Sequence, residues 1–141
     1  MDIARQLPRL LEHGFTETSP ATTKYNCIAW AAGVTDDWWW PDPMGQYYWP
    51  DSVPRVESLD AFEAAFATVG YLRTEHGELE IGMEKIAIFV VQGRPKHAAR
   101  QLADGKWTSK LGRWVDITHE INGIEGTIYG SIACFLKRPI K

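Results

Sequence analysis

Three residues have types and positions that suit nucleophilic catalysis: Cys27, His97 and Ser109. Cys27 stands where the loop-like stretch TETSPATTK gives way, through Tyr25-Asn26, to the small apolar run CIAWAAG. A thiol at the first turn of a helix meets unpaired backbone N–H groups and the positive end of the macrodipole. Both favour the thiolate, which is the nucleophilic form, and the neighbouring amides can hold a developing oxyanion. The competing reading is a packed core thiol, because free cysteine is among the most buried residue types. His97 follows the polar turn QGRPK and is expected to open a strand at the sheet rim, pointing across to the helix start. There it would take the thiol proton; the plainer alternative is a surface histidine. Ser109 comes twelve residues later. A tight turn at Asp104-Gly105 makes it a near cross-strand neighbour of His97, able to orient the imidazole. Lys110, Asp116 and His119 are rivals for that third place, and a hydroxyl facing water is the simple reading of Ser109.

These residues need a helix and a hairpin to carry them. IARQLPRLLEHG reads as a short helix broken by Pro8 and closed by Gly14. Residues 15–23 hold four Thr, one Ser and one Pro and read as a loop. Asn26 or Thr23 can cap a helix through CIAWAA that stops at Gly33. ESLDAFEAAFATVG has apolar residues at 59, 62, 65, 66 and 69, predicting an amphipathic helix with Ser58 as N-cap and Gly70 as its stop. KIAIFVV (85–91) reads as a buried strand. HAARQL and KWTSKL read as a hairpin around ADG. VDITHEI suits one helical turn, and IYGSIACFLKRP closes the chain as a strand. Helices come first and an antiparallel sheet of four to six strands after, which predicts one α+β domain over 1–141.

An early helix-opening cysteine followed by strand, turn, histidine, strand, turn and strand resembles the papain-like cysteine peptidase superfamily, in its compact NlpC-type branch. The segments that carry the resemblance are YNCIAWA (25–31), KIAIFVVQGRPKHAARQL (85–102) and ADGKWTSKLG (103–112). The chain also resembles a group of short uncharacterised bacterial proteins with the pattern YNCIAWA…HAARQL…WTSKLG. The first resemblance implies N-terminal helices packed on a C-terminal antiparallel sheet. It implies Cys27 as nucleophile, His97 as base, Ser109 in the third position, and peptidase or amidase chemistry on a peptide or amide substrate. The branch commonly has Asp before the Cys and Ser-Gly after it, where this chain has Asn26 and Ile28-Ala29. Its third residue is usually His, Asn, Asp or Gln.

DDWWWPDPMGQYYWP holds four of the seven tryptophans and two tyrosines. Most of these rings are expected to supply core for short helices, with one or two bordering the site. The residues expected to touch substrate are Tyr25, Asn26 and Trp30 beside the cysteine, Trp39 and Trp40 from this segment, and Lys110. Asp36, Asp37, Asp42 and Asp51 argue against a nucleic-acid platform there and suit an amino-bearing substrate. An inactive adaptor of the same fold, gripping a partner through loop 36–50, is the alternative function.

A net charge of −3 with no run of more than two basic residues points away from nucleic acid and anionic lipid. No stretch has the roughly 18 apolar residues of a membrane span. The first fifteen residues lack a signal-peptide core, and two cysteines, Cys27 and Cys134, do not make a disulfide framework. The expected compartment is the cytoplasm, with export by a route that cleaves no signal left open. Histidines 13, 76, 97 and 119 are scattered without CxxC or HxxxH spacing, so a zinc site built from Cys27, His97, His119 and an Asp is poorly signalled. No GxGxxG or Walker-type loop occurs, and no metal or cofactor is expected.

Overall fold

A computed structural model of the chain describes residues 6–140. In chain order it contains α1 (Arg9–His13), β1 (Phe15–Ser19), α2 (Cys27–Ala32), α3 (Leu59–Ala67), β2 (Leu72–Thr74), β3 (Met83–Val91), β4 (Arg94–Gln101), β5 (Trp107–Lys110), β6 (Asp116–His119), a 3-10 turn (Ile121–Ile124) and β7 (Ser131–Pro139). The strands form one antiparallel sheet in the order β1-β6-β5-β4-β3-β7-β2. The chain is therefore mixed α and β, with few helices against a seven-stranded sheet. No helix among the described residues is long and apolar enough to cross a membrane.

The sheet is built outward from β3, whose middle, Lys85–Phe89, is fully buried. Side chains alternate across a strand, and here both faces are covered. Ile86, Ile88, Ala98 and Leu136 pack with Cys27, Ile28 and Ala31 of α2 and with Phe62 and Phe66 of α3. Ala87, Phe89, Ala99, Trp107 and Ile117 pack on the other face with Leu7, Leu10, Val115 and Ile124. The helix limits follow local chemistry. Ser58 Oγ accepts from the Ala61 amide and starts α3. Gly33 ends α2 at φ +85°, a left-handed backbone that glycine adopts without a Cβ clash.

Several expectations are corrected. Phe15–Ser19, read as loop, is an edge strand paired with β6, Phe15 opposite His119. Its side chains are mostly exposed, so no apolar alternation marks it. VDITHEI, read as a helical turn, is β6; the helical turn starts only at Ile121. Leu72–Thr74, not anticipated, is the opposite edge strand beside β7. These two edges and β6 make seven strands instead of four to six. The predicted start of the first helix at residues 3–5 lies outside the described residues. The Asp104-Gly105 turn forms as expected: the Leu102 amide donates to the Lys106 carbonyl at 2.7 Å, and Gly105 takes φ +88°.

Candidate functional site

Cys27 is the first residue of α2, and Asn26 puts it there. Asn26 is extended (φ −112°, ψ −174°), and its Oδ1 accepts from the Ala29 amide at 3.2 Å. The same oxygen accepts from the Trp39 amide at 3.0 Å, while Nδ2 donates to the Trp39 carbonyl at 2.6 Å. One buried side chain thus caps the helix and ties the aromatic loop to it.

The Cys27 sulfur faces the Ala98 amide of β4 and the amides of Cys27 and Ile28. All three favour thiolate, as does the nearby Lys110 charge, but burial outweighs them and pushes the thiol up to about 11. The expected low-pKa thiol is corrected: a six-residue helix offers a few N–H groups, and removal from water costs the charged form more.

His97 does not open its strand at the rim. It is the fourth residue of β4 and fully buried. Opposite Phe89, it sits where the β3–β4 register shifts. Its ring stacks on Tyr129 with centroids 4.2 Å apart and meets Phe89 edge-on at 5.7 Å. Nε2 shares a hydrogen bond of 2.9 Å with Ser109 Oγ, which shares one of 2.6 Å with His119 Nε2. His119 Nδ1 donates to the Glu120 carbonyl at 2.6 Å. His97 Nδ1 is buried with no hydrogen-bond partner among the described residues. Burial, and then the neighbouring His119, hold the His97 imidazole well below its ordinary value.

Cys27 and His97 meet β4 at consecutive residues but from different layers. Ala98 packs in the layer of α2, while His97 packs with Phe89 and Tyr129 in the other. Among the described residues no hydrogen bond joins the sulfur to the imidazole. The β4–β5 ladder has two register pairs, Arg100 with Thr108 and Gln101 with Trp107. Further along β4 the Ala98 amide faces the sulfur instead.

The expected third residue is where the hairpin register put it. Ser109 joins His97, and His119, one of its rivals, lies behind it. Lys110 and Asp116 are elsewhere. Lys110 Nζ donates to the carbonyls of Thr22 (2.9 Å), Gly112 (2.6 Å) and Trp114 (2.6 Å), using all three protons. It is a structural cation, which corrects its assignment as a substrate contact. Asp116 Oδ2 accepts from the Tyr25 hydroxyl at 2.7 Å.

A cavity of about 290 Å³ opens beside Cys27. Asn26, Trp40 and Tyr129 line it, with Trp38, Tyr47 and Lys96. Of the residues expected to touch substrate, Asn26 and Trp40 reach it. Trp39 is buried behind it, its ring 4.8 Å from that of Tyr48. Tyr25 stacks on Trp30 at 5.3 Å, and Trp30 Nε1 donates to Thr108 Oγ1. Both belong to the packing of α2 on β5 and do not line this cavity. Trp38 and Tyr47 fall within the aromatic segment, most of whose rings were expected to be core with one or two at the site; Tyr129, on the turn before β7, carried no signal. A larger cavity of about 410 Å³ lies by Leu79, Met83 and Gln101 and holds no thiol or imidazole. Among the described residues, no three of His, Cys, Asp and Glu group as a metal site.

A family model described as a domain of unknown function, DUF7689, matches residues 16–137. The chain belongs to this family. The DUF7689 match spans β1 through nearly all of β7, so it takes in Cys27, His97, Ser109 and His119 together. No curated protein matches the chain, and no solved structure does.

Proposed function

We propose that the chain is a cysteine hydrolase of papain-like plan that cleaves an amide bond. The observation that carries this is the His97 imidazole: Nε2 is held by Ser109, Nδ1 is buried with no partner among the described residues, and the ring stacks on Tyr129, which lines the cavity beside Cys27. A nitrogen kept free in this way has the place of a general base, since resting geometry often tightens only with substrate bound. The element order supports the same plan, with Cys at a helix start, His on β4 and a hydroxyl on β5.

In this reading the Cys27 sulfur attacks the substrate carbonyl as its proton passes to His97 Nδ1. The C–N bond breaks as that proton goes to the leaving amine. Water then hydrolyses the thioester, with His97 taking and returning a proton. The Cys27 amide helps hold the oxyanion. Trp38, Trp40 and Tyr47 give the cavity flat walls for the acyl side of a peptide or amide.

The un-ionised thiol, and the lack of a hydrogen bond between it and His97, favour a second reading: a binding module in which the aromatic loop 36–50 holds a partner. Acylation by 4-nitrophenyl acetate separates the two. Hydrolase chemistry predicts a nitrophenolate burst, an acetyl group on Cys27 and none on Cys134. Cys27→Ala should abolish the burst, and His97→Ala should slow it at least about 100-fold, both with native far-UV circular dichroism. A full burst in either variant refutes the mechanism.

A further inference from the structure

We infer that His119 sets the direction of the hydrogen-bond chain through Ser109 and so keeps His97 Nδ1 free of a proton. His119 is thus a positioning residue for the proposed hydrolase. Its use in catalysis rests on that proposal; the direction of the chain does not.

The direction follows from what each atom can donate. A backbone carbonyl has only lone pairs. His119 Nδ1, 2.6 Å from the Glu120 carbonyl oxygen, must therefore carry the proton. A neutral imidazole has one N–H, so His119 Nε2 is bare and accepts. Ser109 Oγ, 2.6 Å away, must donate to it. Its single proton is then used, and toward His97 Nε2 at 2.9 Å it can only accept. His97 Nε2 therefore carries the proton of that ring, and Nδ1 is left as a lone pair. Nδ1, buried with no partner among the described residues, then keeps its lone pair open. Burial holds His119 down to about 4, so the neutral form assumed here is the one present near neutral pH.

Without His119 the same bond between Ser109 and His97 can run either way. A serine hydroxyl rotates, and if it donated to Nε2 the imidazole proton would move to Nδ1, where it blocks the base. A wrong tautomer in an otherwise intact site is known to be severe for histidine bases. Ser109 and the stacked Tyr129 orient the ring, and His119, fixed by a carbonyl, chooses the tautomer.

The test is nitrogen-15 NMR of the imidazoles in the full chain near neutral pH. The wild-type chain should show His97 protonated at Nε2 and bare at Nδ1. His119→Phe removes the acceptor and should give His97 a mixture of both tautomers. His119→Gln offers an amide oxygen to the Ser109 hydroxyl and should restore the Nε2–H form. A wild-type His97 protonated at Nδ1 overturns the inference, as does a folded His119→Phe whose His97 tautomer is unchanged. Should His119→Phe not fold, the wild-type spectrum and His119→Gln still decide. In the nitrophenyl assay His119→Phe should lose about 10- to 100-fold in kcat/KM with little change in KM, and His119→Gln should recover most of it. A bare Nδ1 with no acylation of Cys27 fails the hydrolase proposal alone. Acylation with Nδ1–H fails the inference alone.

Discussion

Asn26→Ala should be far more damaging than loss of a helix cap. Removing an N-cap side chain costs about 1 kcal/mol. Asn26 also holds both backbone groups of Trp39, a residue 3% exposed. Alanine would leave that N–H and C=O buried without partners, at about 1–3 kcal/mol each. The sum is about 3–7 kcal/mol, set against the roughly 5–15 kcal/mol that holds a domain folded. Ser58 is the internal control. Among the described residues its hydroxyl makes one hydrogen bond, capping α3 through the Ala61 amide, so Ser58→Ala should cost about 1 kcal/mol. Asn26→Asp tests the donor arm. It keeps the accepting oxygen but sets a carboxylate oxygen where Nδ2 now meets the Trp39 carbonyl at 2.6 Å, and should destabilise by at least about 2 kcal/mol. Urea titration followed by circular dichroism and tryptophan fluorescence measures all three, with an unchanged m-value required for comparison. If Asn26→Ala and Ser58→Ala fall within about 0.5 kcal/mol of each other, the tie to Trp39 carries no energy and the argument fails. Trp38 and Trp40 flank Trp39, so the same variant should also disorder the cavity wall beside Cys27.

Lys110→Met should cost about 2–4 kcal/mol by stranding the carbonyls of Thr22, Gly112 and Trp114. A loss under about 1 kcal/mol in urea titration would return Lys110 to the substrate contacts. His97 and His119 are both held neutral below the ordinary histidine value. The unfolded chain therefore binds more protons than the folded one below about pH 6.5. Stability should be full above that pH and fall beneath it, by up to about 2.7 kcal/mol per unit for two histidines; His119→Gln should halve the slope between pH 6 and 5, and an unchanged slope would mean that His119 titrates freely. Iodoacetamide should modify Cys27 slowly at pH 7.5, with the rate climbing through pH 9 toward the value near 11. A rate plateau below pH 7, read by mass spectrometry, would establish a thiolate instead.

Much of the frame was legible because it depends on local chemistry. Asn26, Ser58, Gly33 and Asp104-Gly105 act within a few residues of themselves, and each does what its type predicts. The pairing of Ser109 with His97 followed from the hairpin register, which a tight turn sets by counting. What could not be read depends on distant partners. The edge strand Phe15–Ser19 exists through its backbone bonds to β6, and its exposed side chains advertise nothing. Lys110 looks like a free cation until three carbonyls from separate segments close on it. The helix start at Cys27 was visible, but the depth at which it is buried was not, and depth decides whether a thiol ionises. The face to which His97 turns was hidden too, because one register shift opposite Phe89 and Val90 separates the turn from the strand interior.

That depth constrains how the proposed reaction can run. The thiol lies near 11 and the imidazole below 6.5. Burial disfavours both the thiolate and the imidazolium, so it opposes moving a proton from the sulfur to the imidazole. Attraction between the resulting charges could offset this only at contact, and no hydrogen bond joins the two groups at rest. In the proposed reaction the nucleophile is therefore not a preformed thiolate. The proton must leave the sulfur as the S–C bond forms, with His97 as a general base in the same step. That step can run only if Nδ1 is bare when substrate arrives. The fixed direction of the Ser109–His119 chain supplies that condition, which an ion-paired site would not need.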